Sequence, residues 1–248
     1  MFLKSLQATH RNSYFRIPIV PLFKKISPDP NSILAIWKIN ESKEDLLQLI
    51  DERLHEVSKP REVHDNVGKH WLASRALLLQ LFDKHKVEVH KDINNKPSLV
   101  VDGQSYYIAI THSYDYAAVM ISDTHDVGLD MERIDTRIGR VAKKFVNEEE
   151  DLYLSKVSLD ELNYYQTIIW SAKETMYKIY GKKELDFKLH MSVEAFDKSQ
   201  EAILGRIHKG DEKCILSLQL DCIDNYILCY ARGILSDHFT YFLINRKS

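Results

Sequence analysis

Three short apolar runs stand close together between Tyr106 and Ile134, and they limit the fold more than any other feature of the chain. YYIAITH, YAAVMIS and VGLDMERI are separated only by the turn-length segments SYD and DTHD. Connections that short join antiparallel neighbours, whereas parallel strands need a crossover of about a dozen residues or more. The runs therefore predict a β-meander.

The flanking sequence is grouped in the same way. ILAIWKI (Ile33–Ile39) reads as an early strand and ESKEDLLQLIDERL as an amphipathic helix. A second helix is expected over residues 63–82, with Pro60 just ahead of it, and NNKPSLVVDG reads as a turn and a short strand. A mostly helical stretch over residues 139–180 precedes strands around HMSVEAF, EAILGRIH, CILSLQLD, NYILCYAR and HFTYFLI. Grouped rather than alternating elements predict an α+β fold, not a doubly wound parallel sheet. No Pro/Gly/Ser linker and no repeat divides the chain. The boundary is placed in the meander at residue 122, giving subdomains over residues 1–122 and 123–248.

With 248 residues, 44% hydrophobic and 28% charged, the chain has material for a substantial core, in one large domain or two small ones. A net charge of −2 supplies no global basic field, so no nucleic-acid partner is expected. Cys214, Cys222 and Cys229 form no CxxC pair and read as reduced thiols. The first residues, MFLKSLQATHRNSYFRIPIVPLF, are broken by polar and basic side chains. They suit neither a signal peptide nor a membrane span, and a cytoplasmic protein is expected.

In VGLDMERI the alternation is sharp. Val127, Leu129 and Met131 take one face of the strand, and Gly128, Asp130 and Glu132 take the other. Two carboxylates on one face repel unless a cation lies between them. A hard cation such as Mg²⁺ takes such ligands and leaves positions for phosphate oxygens. Read alone, the stretch favours a solvated strand face.

In WSAKETMYKIYG, Tyr165, Ile169, Ala172, Met176 and Ile179 form an apolar stripe. Trp170, Lys173, Glu174, Tyr177, Lys178 and Gly181 lie roughly opposite. Glu174 and Lys178 are i,i+4 neighbours, by default an ordinary exposed pair. The functional alternative is a third metal carboxylate beside a phosphate-binding lysine.

Together the two stretches resemble the signature of the 4′-phosphopantetheinyl transferases, in particular the monomeric Sfp-type. That family carries a (V/I)G(V/I)D(I/V)E strand followed by a W(S/T/C)xKE(A/S)xxK helix. VGLDME and WSAKETMYK stand here in that order and separation, with Thr175 for the usual Ala or Ser. NKP (Asn95–Pro97) is similar to the family's GKP turn, with Asn in place of Gly, and IAITHS (Ile108–Ser113) to its NISHS segment. KHWLASRALL is loosely similar to its basic N-terminal helix. The resemblance spans most of residues 69–181.

The resemblance implies two similar α+β subdomains related by a pseudo-twofold, with the active site between them. It implies transfer of the 4′-phosphopantetheine arm of coenzyme A to a serine of an apo acyl or peptidyl carrier protein, releasing adenosine 3′,5′-bisphosphate. Asp130, Glu132 and Glu174 are the implied Mg²⁺ ligands, with Mn²⁺ as an alternative ion, and Lys178 the implied contact to the diphosphate. Glu132 or Glu174 would take the serine proton. His112 and Thr111 match the segment that meets the 3′-phosphate, Lys96 lies in the nucleotide-side turn, and Arg75 is a further phosphate contact. KKFVNEEED is similar to the segment that docks the carrier, where Arg137, Arg140, Lys143 and Lys144 would face an acidic partner. Two other readings remain open from the residues: a different Mg²⁺-dependent nucleotide enzyme, and a non-catalytic binder of coenzyme A or a carrier.

Overall fold

The computed structural model describes residues 22–56 and 65–233. They form a mixed α+β protein with two sheets. The chain divides into two compact units, Met1–Leu129 and Asp130–Ser248.

The first unit holds strands β1 (Leu22–Asp29), β2 (Ser32–Lys38), β3 (Leu54–Glu56), β4 (Val87–Lys91), β5 (Pro97–Val101), β6 (Gln104–Ser113) and β7 (Tyr116–Ser122). Their spatial order is β1-β2-β7-β6-β5-β4-β3. Helices α1 (Lys43–Gln48) and α2 (Asp65–Leu81) belong to the same unit. Every residue of β7 is buried, and so are the first six of β2. That is why both read as near-continuous apolar runs. Helix α2 packs on β2, β6 and β7, bringing Leu72, Ala76 and Leu79 into a core with Ile33, Trp37 and Val119.

Several expectations meet corrections here. The helix expected over ESKEDLLQLIDERL stops at Gln48. Asp51 Oδ1 then accepts the Arg53 backbone N–H at 2.9 Å, a local turn that competes with helix. Leu54 enters parallel pairing with Val87 instead. Strand β4 escaped the sequence reading because VEVHK is short, with only Val87 and Val89 on its buried face. Asn95 adopts φ 68°, the left-handed turn expected of NKP.

The meander is only half present. β6 and β7 pair antiparallel, His112 opposite Ala117, but the other edge of β7 is taken by β2. β8 (Val127–Arg133) has no edge to join there. It becomes the edge strand of the second sheet, ordered β8-β12-β11-β10-β9.

The remaining strands of that sheet are β9 (Met191–Val193), β10 (Ala202–Lys209), β11 (Glu212–Ile223) and β12 (Tyr226–Arg232). HFTYFLI lies outside the described residues. The helical stretch resolves into α3 (Arg137–Val141), a 3₁₀ turn (Ala142–Lys144), α4 (Glu148–Leu154) and the long α5 (Leu159–Tyr180). α5 lies across β12, β11, β10 and β9. Its Tyr165, Ile169, Ala172 and Met176 stripe enters a core with Ile203, Leu218 and Ile227. Gly181 ends the helix at φ 66°, a left-handed cap.

Gly205 on β10 lies directly beneath Met176 of α5 and leaves no room for a side chain. A Cβ there would stand 2.5 Å from Met176 Sδ and 2.7 Å from Leu218 Cδ1. Gly205→Ala is expected to destabilise the protein by about 1–3 kcal/mol, the cost of overpacking, measured by urea denaturation.

Candidate active site

Strand β8 sends Val127, Leu129 and Met131 into the interior, each at most 1% exposed. Asp130, on the other face, is 4% exposed, and Glu132 is half-buried. A buried carboxylate needs partners, and α5 provides them. Ser171 Oγ donates to Asp130 Oδ2 at 2.6 Å and Lys178 Nζ to Asp130 Oδ1 at 2.9 Å. Trp170 Nε1 is directed at Glu132 Oε1, 3.4 Å away.

Ser171, Glu174 and Lys178 follow the i, i+3, i+7 spacing of one helix face. Glu174 is half-buried, and its carboxyl is pushed up to about 7. Burial is the main cause and the charge of Asp130 adds to it, with Lys178 opposing. Two acidic groups and one ammonium thus share a partly desolvated patch. Lys178, expected beside Glu174, makes its ion pair with Asp130, at 2.9 Å.

Among the described residues, no three His, Cys, Asp or Glu side chains are gathered in a group that could hold a metal ion. Oxygen donors of this kind suit a hard cation: Glu174 feels the charge of Asp130, and Glu132 is the next residue on the same strand face as Asp130.

Helical spacing puts Lys173 on the polar side of the helix. It is instead fully buried. Its ammonium donates to the carbonyls of Phe145 at 2.6 Å and Phe187 at 2.9 Å, and to Glu150 Oε2 at 2.7 Å. Burial lowers the Lys173 pKa, with the Glu150 charge opposing. Glu150 in turn accepts the backbone N–H groups of Asn147 and Val193, each at 2.8 Å. Thr175, the departure from the family pattern, is buried and donates its hydroxyl to the Cys229 carbonyl of β12 at 3.1 Å. Beside Glu174 lies a cleft of about 440 Å³ lined by Lys144, Phe145, Trp170, Tyr177, Leu185, Asp186 and Phe187.

The first unit carries the other expected residues. His112 is exposed at the end of β6 and stacks on His70, ring centroids 4.6 Å apart. The two line a cleft of about 500 Å³ with Lys69, Ser113, Tyr114, Asp115 and Ile39. His70 Nε2 lies 2.6 Å from the Tyr114 carbonyl, and burial lowers its pKa. Thr111, next to His112 in the chain, is buried. Lys96 and Arg75 do not line that cleft. Lys96 forms an ion pair with Asp126 at 2.7 Å. Arg75 is buried, with its guanidinium 5.1 Å from the Trp71 ring centre and Nη1 donating to Ser74 Oγ at 3.0 Å.

Sequence reasoning missed Ser171 and the buried Lys173–Glu150 pair. The spacing of Ser171 from Glu174 and Lys178 was the available signal for the first. Nothing in the sequence marks Lys173 as the lysine that turns inward.

Among the described residues, no helix is long and apolar enough to cross a membrane. No curated protein matches the chain. A family model does: residues 126–231 match that of the 4′-phosphopantetheinyl transferase superfamily, which supports a transferase. Asp130, Glu132, Ser171, Glu174 and Lys178 all fall inside the match, whereas Arg75, Lys96, Thr111 and His112 fall outside it. The carboxylate site thus lies within the stretch that matches the 4′-phosphopantetheinyl transferase superfamily.

Proposed function

We propose that this protein transfers the 4′-phosphopantetheine arm of coenzyme A to a serine of an apo acyl or peptidyl carrier protein and releases adenosine 3′,5′-bisphosphate. The observation that carries this reading is the buried Asp130 carboxylate held by Ser171 and Lys178, with Glu174 beside it, inside the matched domain.

The serine oxygen attacks the β-phosphorus and the bond to the adenosine bisphosphate phosphate breaks. Lys178 meets the charge that grows on the departing oxygen, a place suited to a compact ammonium. Asp130, Glu132 and Glu174 would hold Mg²⁺ or Mn²⁺, which when bound neutralises the diphosphate. Asp130 already accepts at both oxygens. The serine proton passes to Glu132 or Glu174. In the first unit, Thr111, His112, Lys96 and Arg75 are proposed contacts to the nucleotide, supported by their sequence resemblance and, for His112, by its cleft beside Lys69. We place the protein in the cytoplasm as a monomer, in keeping with its resemblance to the Sfp-type enzymes and its three free thiols.

The decisive experiment incubates the full chain with coenzyme A, Mg²⁺ and several apo carrier proteins, followed by intact mass measurement. One phosphopantetheine increment on a carrier is expected. No increment on any carrier, or nucleotide turnover without one, overturns the proposal.

Arg137, Arg140, Lys143 and Lys144 are exposed on α3 and the 3₁₀ turn and suit an acidic carrier surface. Lys144 also lines the cleft beside Glu174, so the cleaner variant is Arg140→Glu with Lys143→Glu. It is expected to raise the carrier KM on the order of tenfold and to leave coenzyme A affinity unchanged, as for charges at the rim of an interface. Steady-state kinetics at varied carrier concentration, with calorimetry for coenzyme A, check this.

A further inference from the structure

Beyond the carboxylates and Lys178, the geometry singles out Trp170. Its indole N–H is directed at Glu132 Oε1, 3.4 Å away. Glu132 is half-buried on an edge strand, and the indole N–H is one of the contacts that orient its carboxylate.

The indole is itself gripped. Phe145 meets it edge-on, with ring centroids 5.1 Å apart and planes at 62°; Phe187 meets it at 5.4 Å and 39°. The backbone carbonyls of both gripping residues accept from one ammonium, that of the fully buried Lys173. The brace, the clamp and the indole form one chain of contacts that ends on a carboxylate of the site.

We infer that Trp170 is a positioning residue: it holds the Glu132 carboxylate in the orientation that serves the site, and Lys173 holds the clamp around Trp170. The inference rests on the transferase reading, in which Glu132 is a metal ligand or proton acceptor. Groups that orient a ligand in this way typically contribute about 10–100-fold to metal affinity or activity.

Trp170→Phe keeps an aromatic ring between Phe145 and Phe187 and removes the N–H. In the full chain, Mn²⁺ affinity, read from the free-ion paramagnetic resonance signal, is expected to weaken about tenfold. The kcat of transfer falls by a similar factor, the carrier KM stays unchanged, and the melting temperature stays close to that of the wild type. Trp170→Phe added to Glu132→Gln is expected to cause no further loss, because the tryptophan acts through that carboxylate. A purely structural tryptophan would add its own loss. Wild-type Mn²⁺ affinity and kcat in Trp170→Phe, or additive losses in the double variant, overturn the inference. A wild-type protein that neither binds Mn²⁺ nor transfers overturns the transferase reading, and the inference falls with it.

Discussion

Asp130→Asn is expected to lower transfer roughly 10³-fold, the scale of removing one preorganised electrostatic group. Asn keeps the size of the side chain and an acceptor for Ser171 Oγ, so the packing of β8 against α5 survives. The negative charge that holds Lys178 Nζ at 2.9 Å is lost. A proposed metal carboxylate goes with it, and the Glu174 pKa, raised mainly by burial, loses the further rise that the Asp130 charge adds. Single-turnover transfer to an apo carrier measures the loss, and circular dichroism checks the fold. Activity within tenfold of wild type would show that the buried carboxylate is structural.

Lys173→Met is expected to destabilise the protein by about 3–5 kcal/mol, because it leaves the Glu150 carboxylate buried without its counter-charge. Two backbone carbonyls, of Phe145 and Phe187, also lose their donor. Glu150 is 2% exposed and cannot turn to water without releasing the N–H groups of Asn147 and Val193. Adding Glu150→Gln removes the stranded charge and keeps an acceptor, so the double variant is expected to recover part of the loss. Urea denaturation of the wild type, the two single variants and the double gives the coupling directly. Full additivity would show that the two side chains do not stabilise each other.

The grouped α+β fold class was legible in the sequence, and so were the strand and helix faces that carry the proposed site residues. Asp130 and Glu132 were visible because a strand alternates strictly, and two acids on one face of an apolar strand are costly enough to stand out. Glu174 and Lys178 were visible by helical spacing. The same spacing misplaced Lys173, since periodicity reports a face and not whether a carboxylate waits inside the protein to receive an ammonium. β4 was hidden because it is short: only Val87 and Val89 mark its buried face, too few to stand out as a strand. The meander failed on a long-range fact. Short turns correctly joined β6 to β7, but which strand occupies the next edge depended on β2, far earlier in the chain.

That occupancy has a consequence for how the first unit comes into being. β2 sits between its hairpin partner β1 and β7, in register from Ser32↔Ser122 to Lys38↔Tyr116. The β1–β2 hairpin is local and forms early, but its apolar inner edge finds a partner only after the chain through residue 122 has been made. Pairing at such separation carries a large loop-closure entropy, so completing this sheet is the slow step for the unit. Until then β2 offers an unpaired, apolar edge to any neighbouring chain, and a nascent protein stalled before β7 is the form most exposed to aggregation.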